Sequence, residues 1–336
     1  MKRNTDLDFI RAILIILMIL IHIVSFGNAY PHLKAGILSF MMPTFLIITG
    51  YLVNIEKTGR QMGNYLKCLA LPYVIMVTGF SVLSYYMPVR DGITELSLSQ
   101  ICEKIFVTSI GPYWFIQTMI ICGTLYYFCF RGRNWNDLRK NYTKRDTYAS
   151  LFVFAVTLLL ISETPALSAS AAAYYFIGVV IRQSKTEWNK LFRHEFFAII
   201  LWIYLLNHDD WYDWGSLAIV FSCWCCISTL LLLQHLLDAP ERFKDISPKI
   251  GKVAKVTNRI KDTLLYIGRN TLPIYLFHPI FTMAAKFYHP LFAWDPSEIC
   301  FALFTVILAI LGSIAIARIM EKTKLAYLFG KGKILR

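Results

Sequence analysis

The stretch Asp8-Phe-Ile-Arg11-Ala-Ile-Leu-Ile-Ile-Leu-Met-Ile-Leu-Ile-His22-Ile-Val-Ser-Phe-Gly27 is apolar from Phe9 onward, and ionisable groups interrupt it only at Arg11 and His22. A step of eleven residues is close to three turns of α-helix, so Arg11 and His22 share one face about 16 Å apart along the axis, with Asp8 one turn before Arg11. One stripe carries all three groups. Ionisable side chains at mid-bilayer cost about +2.5 kcal/mol or more each, so a helix that keeps them faces a protein cavity rather than lipid. The stripe is therefore the first candidate for a functional site.

The rest of the chain sets the class. Of 336 residues, 57% are hydrophobic and only 16% charged, and the mean hydropathy of +0.52 reflects apolar runs too long and numerous for a soluble core. The expected fold is all-α, a polytopic membrane protein of about ten transmembrane helices. The spans are Phe9 to Gly27, Ala35 to Val53, Cys68 to Tyr86, Ile110 to Phe130, Tyr148 to Ile161, Ala166 to Ile181, Phe196 to Leu206, Ser216 to Leu237, Leu264 to Tyr288 and Ile299 to Ala317. The seventh is short of the ~20 residues that cross a bilayer unless it starts earlier, in Leu191 to Glu195, or inserts only in part.

Basic residues orient these spans, because Lys and Arg of short loops collect on the cytoplasmic side. With both the N- and C-termini cytoplasmic, inner segments hold 28 of the 34 Lys and Arg residues, and the outer side holds only Lys34, Arg90, Lys104 and, at the outer end of span nine, Lys286. Arg11 and Arg269 lie inside spans. A net charge of +13 is then the ordinary signature of inner loops beside anionic lipid, and no nucleic acid partner is needed to explain it.

Most of the eight cysteines lie in spans and only Cys102 is clearly in an outer loop, so no disulfide framework is visible. Cys223, Cys225 and Cys226 scatter around a helix with no His partner in register, so small apolar packing is expected there and no metal. The N-terminus starts like a signal peptide, but Arg11 and His22 interrupt it and the apolar run is longer than such a segment needs. An uncleaved first span is expected.

No polar segment is long enough to fold alone. The organisation expected is one membrane domain over residues 1–336, closing in a basic cytoplasmic tail at 318–336. Asn54 to Lys67 and Asp238 to Asp262 are candidate interfacial helices, the latter with Phe243, Ile246, Ile250 and Val253 at spacings of three and four. There is no fixed-period repeat, which counts against inverted-repeat transporters.

A second polar stripe matches the first. His22 lies about 20 Å from the inner end of its span, and His278 lies at the same depth in span nine, which runs the same way. Thr271, Tyr275 and His278 fall at i, i+4 and i+7, a stripe that can face Asp8, Arg11 and His22 across a cavity. Arg11 and Arg269 sit nearer the cytoplasm, where an anionic cytosolic molecule would enter, and the imidazoles lie deeper. Imidazole takes a hydroxyl proton at neutral pH, which suits a general base. The plainer readings are a histidine strut between helices and arginines that snorkel to headgroups.

The Asp8-x-x-Arg11 opening, the spacing of Arg11 to His22, Pro43-Thr-Phe-Leu-Ile-Ile-Thr-Gly-Tyr51, Trp114-Phe115 and Gly268-Arg-Asn-Thr-Leu-Pro-Ile-Tyr-Leu-Phe-His278 together resemble the membrane acyltransferase-3 family of bacterial O-acyltransferases. The resemblance covers most of the chain. It implies about ten transmembrane helices in the bacterial cytoplasmic (inner) membrane and transfer of an acyl group, expected to be acetyl, from cytosolic acyl-CoA to a hydroxyl of an extracytoplasmic or lipid-linked glycan. Acetyl-CoA would be a co-substrate, and no bound cofactor is expected. His22 matches the family's essential histidine and Arg11 its motif partner. The family's Arg-x-x-Arg before span three is reduced here to one cation, Lys67, in Asn64-Tyr-Leu-Lys67-Cys-Leu-Ala-Leu-Pro72. Many relatives carry a fused extracytoplasmic domain that the sequence to Arg336 does not show, so this chain is expected to act alone or with a separate extracytoplasmic partner protein.

The residues then divide by role. His22 and Asp8 are the catalytic candidates, with His22 acting as a base or being acylated itself. Arg11, Arg269 and Lys67 are candidates for the donor phosphates, because guanidinium groups suit phosphate through bidentate charge-assisted bonds. His278, Tyr275, Trp114 and Gln117 are candidates for the acceptor side, although Trp114 and Gln117 also fit interfacial packing. The outer segment Asn207-His-Asp-Asp-Trp-Tyr-Asp-Trp214 joins carboxylates to aromatic faces as a sugar rim would, and as an ordinary membrane interface does. No Gly-x-Ser-x-Gly elbow, P-loop or dinucleotide fingerprint is present. Two competing readings stand beside acyl transfer: a transporter or flippase for a glycan or lipid-linked glycan, its pathway lined by the polar stripes, and a nonenzymatic partner in polysaccharide assembly.

Overall fold

A computed structural model describes residues 4–87, 89, 91–131, 144–192, 196–208, 210 and 212–336. Arg90, Asp209, Trp211 and the basic residues at 2–3, 132–143 and 193 lie outside these. Among the described residues there are helices and no strands, in the order α1 (Thr5–Ile21), α2 (Val24–Ala29), α3 (Pro31–Leu52), α4 (Gly59–Tyr86), α5 (Leu98–Phe106), α6 (Trp114–Phe130), α7 (Lys144–Ser162), α8 (Ala169–Gln183), α9 (Trp188–Leu191), α10 (Phe196–Leu206), α11 (Leu217–Arg242), α12 (Pro248–Arg269), α13 (Thr271–Tyr288) and α14 (Ile299–Lys322). Six segments, α3, α4, Gly111–Phe130 (which contains α6), α7, α11 and α14, are long and apolar enough to cross a membrane. The chain is an all-helical, multi-pass membrane protein. The other four expected spans coincide with shorter or broken helices: α1 with α2, α8, α10, and α12 with α13.

Three expected continuities are corrected. The first span is not one helix, because α1 stops at Ile21 and the chain turns extended at Ile23 before α2. Span nine is divided at Asn270, where α12 ends and α13 begins. The apolar stripe from Phe243 to Val253 is likewise not on one helix. Ser247 accepts from the Lys249 amide and Pro248 occupies the first turn, which starts α12 after Phe243 and Ile246. Asn54 to Lys67 is also not a separate interfacial helix. Thr58 and Gln61 form a reciprocal capping box, and α4 runs unbroken from Gly59 into its apolar part.

The chain forms two compact units. The first holds residues 1–45, 186–319 and 334–336, and the second holds 46–185 and 320–333. In the second, Cys122, Tyr126, Phe130, Phe154, Tyr175 and Val179 form a buried core. There α3 and α8 cross so closely that a Cβ on Gly178 would overlap the Ile47 carbonyl. At the chain's end Ile334 and Leu335 are buried in the first unit, and the backbone of Arg336 pairs with the Asn270 side chain.

The first unit positions the polar stripes. Helix α1 packs on α11, α12 and α13. Asn4 caps it, its side chain accepting from the Asp6 and Leu7 amides, and Asp6 and Asp8 in the first turn complement the positive end of the helix dipole. Gln234 of α11 donates to Asp6 at 3.1 Å, and Lys261 of α12 pairs with Asp238 of α11 at 2.5 Å. The closest approach is between α12 and α1, where the backbone of Gly268 lies against the Asp8 carbonyl and leaves no room for a Cβ. Gly268→Ala is expected to push α12 off α1 and cost about 1–3 kcal/mol, read as a lowered Tm of the detergent-purified protein. An unchanged Tm would show that this approach does not hold the pair together.

Candidate active site

The two polar stripes meet directly rather than across a cavity. Arg11 donates through Nη2 to the Thr271 hydroxyl at the first residue of α13, and its Nη1 lies 3.8 Å from the Asp8 carboxylate. Asp8 is buried, so this carboxylate supplies the counter-charge that lets a guanidinium sit at a helix interface. Further along, the rings of His22 and His278 meet edge-to-face with centroids 5.3 Å apart. Two contacts made in the same order along both helices show that α1 and α13 run in the same direction.

Both imidazoles are fixed by interruptions in the helical hydrogen-bond ladder. At the end of α1 the backbone tightens, and the amides of His22 and Ile23 donate to Ile19 and Leu20, three residues back. The Met18 carbonyl, which the His22 amide would otherwise reach, lies 2.6 Å from His22 Nδ1. In α13 the residue after His278 is Pro279, which has no amide proton to give to Tyr275 four residues back. His278 Nδ1 lies 2.8 Å from that freed carbonyl. A carbonyl only accepts, so each Nδ1 carries the proton and each Nε2 keeps its lone pair. His278 is fully buried, and its Nε2 has no hydrogen-bond partner.

Other candidates sit around this pair. Tyr275 is buried one turn from His278, with ring centroids 5.9 Å apart. Arg269 closes α12, and its Nε is buried without a hydrogen-bond partner. Asn270, to which the sequence alone assigns no role, is the joint: its side chain donates to Tyr266 at 2.9 Å and accepts from the Arg336 amide at 2.8 Å. It thereby sets Arg269 at the end of one helix and Thr271 at the start of the next. Its signal was readable, since Asn is a frequent helix-end residue. Asp8 is not brought to His22. Fourteen residues of helix, about 21 Å, separate them, and its observed partner is Arg11.

Lys67, Trp114 and Gln117 belong to the second unit. Lys67 is exposed on α4. The Gln117 amide donates to the Phe106 and Val107 carbonyls at 3.2 and 3.3 Å, closing the end of α5. Between α10 and α11 His208 Nδ1 lies 2.8 Å from the Tyr204 carbonyl and Tyr212 donates to Leu206 at 2.5 Å, so both serve local structure.

Nodulation protein NolL of Sinorhizobium fredii is 24% identical to this chain over 299 residues, which cover 82% of this chain and 77% of that protein. No solved structure matches. The family described as an acyltransferase domain matches residues 4–318, a range that holds the α1 stripe, the Asn270 joint and the α13 stripe. This chain belongs to the membrane acyltransferase-3 family.

Proposed function

We propose that this membrane acyltransferase is an O-acetyltransferase, moving acetyl from cytosolic acetyl-CoA to a hydroxyl of an extracytoplasmic or lipid-linked glycan. The topology proposed with it has ten spans, both termini in the cytoplasm, in a bacterial inner membrane. The single observation that carries the reading is the placement of a histidine Nε2 lone pair at the far end of a helix interface whose near end holds a guanidinium clamped by Asp8 and Thr271.

The chemistry follows from those groups. Arg11 and Arg269 present cations to the phosphates of the donor, and the buried Arg269 Nε supplies a donor that the protein itself leaves unmatched. Asp8 holds Arg11 in place rather than acting on the reacting atoms. His22 Nε2 takes the proton of the acceptor hydroxyl as that oxygen bonds to the thioester carbonyl carbon. The carbon–sulfur bond then breaks, and coenzyme A leaves as the thiol once it regains the proton. The Met18 carbonyl on Nδ1–H strengthens its hold as the ring becomes cationic, which stabilises the base in its protonated form.

With purified protein, acetyl-labelled acetyl-CoA and a membrane glycan fraction, label is expected to appear on sugar as an alkali-labile ester. No transfer by the wild-type protein would contradict the reading. His22→Ala should lower the rate about 100-fold or more with expression unchanged, and a fully active His22→Ala protein would remove this residue from the mechanism. Arg11→Ala should raise the KM for acetyl-CoA about tenfold or more, the effect of losing a hydrogen bond to a charged group. An unchanged donor KM would show that Arg11 does not bind phosphate.

A further inference from the structure

His278 sits on the stripe expected to face the acceptor, yet its contact is with His22. A histidine that merely joins two helices hydrogen-bonds across them. His278 instead gives its Nδ1 proton to its own helix and turns to the neighbouring helix only a ring, with a buried Nε2 that has no partner. Leaving such an acceptor unmatched in the interior is unfavourable, and an unmatched buried acceptor in a native structure calls for an explanation. Pro279 maintains this state by keeping the Tyr275 carbonyl open to Nδ1–H, which holds the lone pair on Nε2.

We propose that His22 and His278 form one proton-handling pair, in which His278 Nε2 receives the proton that His22 removes from the acceptor hydroxyl and returns it to the departing sulfur. This rests on the acyl-transfer reading above and adds a second imidazole to it. The rings touch edge-to-face with centroids 5.3 Å apart and no hydrogen bond between them while both Nε2 atoms carry lone pairs; once His22 Nε2 is protonated, the unmatched Nε2 of His278 is the adjacent acceptor to which a small turn of the ring directs that proton. The balance is complete. The acceptor O–H bond breaks and its proton goes to His22 Nε2, then to His278 Nε2. The new carbon–oxygen bond replaces carbon–sulfur, and the thiolate takes the proton from His278, which regains its lone pair. Either ring, when cationic, is stabilised by a backbone carbonyl already on its Nδ1–H. His22 meets the acceptor hydroxyl, and His278 meets the departing sulfur.

The test uses the full chain in lipid nanodiscs with acetyl-CoA and the acceptor fraction. His278→Phe keeps a ring against His22 but removes Nε2. The pair predicts a kcat lowered about 100-fold or more with the donor KM within about twofold, and a rate within about threefold of wild type would overturn it. Should His278→Phe fail to fold, His278→Gln, which retains an N–H for the Tyr275 carbonyl, must show the same split of kcat from KM. A wild-type protein that transfers no label defeats the acyl-transfer reading itself, whereas an active wild type with an equally active His278→Phe defeats only the pair.

Discussion

The contact on which this architecture depends is the clamp of Arg11 between the Asp8 carboxylate and the Thr271 hydroxyl. A guanidinium with only 26% of its side chain exposed, at a helix interface, is unfavourable unless its donors are matched and its charge is balanced. Meeting that demand requires α1 and α13 to lie side by side in a fixed register. The same register brings His22 to His278 further along. Gly268 lets α12 come against α1 at Asp8, and Asn270 turns the chain so that Thr271 follows at the height of Arg11. One electrostatic requirement near one end of the interface thus determines the geometry of the imidazoles.

The two histidines show how departures from regular helix become chemical devices. A carbonyl released by tightening at the end of α1, and another released by a proline in α13, each anchor one Nδ1–H. In hydrocarbon surroundings a free backbone carbonyl must find a donor, and here the donor is an imidazole whose other nitrogen thereby keeps its lone pair. The break in the helix and the tautomer of the side chain share one cause. This links Pro279 to the tautomer of His278 rather than to a bend alone.

Helical periodicity made much of this legible. The spacing of Asp8, Arg11 and His22, and of Thr271, Tyr275 and His278, depends only on 3.6 residues per turn, and both stripes lie on single helices except that His22 sits at the very end of α1. The break after His22 was hidden because Ile21-His22-Ile23-Val24 contains neither Gly nor Pro, and the determinant is a side-chain bond to Met18. The division at Asn270 left a local signal, an Asn between Arg269 and Thr271 at a helix end, but the longer apolar runs of Leu264 to Tyr288 read as one continuous span. Contacts between residues far apart in the chain, such as Gly268 with Asp8 or Asn270 with Arg336, leave no local pattern at all. Gln117 read as an acceptor-side group, and its amide closes α5, because polarity at a span's end does not distinguish a ligand from a helix carbonyl.

The central claim is that the interface of α1 and α13 is where the thioester is placed. The most direct measurement is a cryo-electron microscopy structure of the full chain in nanodiscs with an acetyl-CoA analogue whose thioester sulfur is replaced by carbon. The account predicts the analogue's phosphates on Arg11 and Arg269 and its carbonyl about 3 Å from the position a His22-bound hydroxyl would occupy. An analogue seated away from both helices, with His22 Nε2 hydrogen-bonded to protein instead, would contradict it.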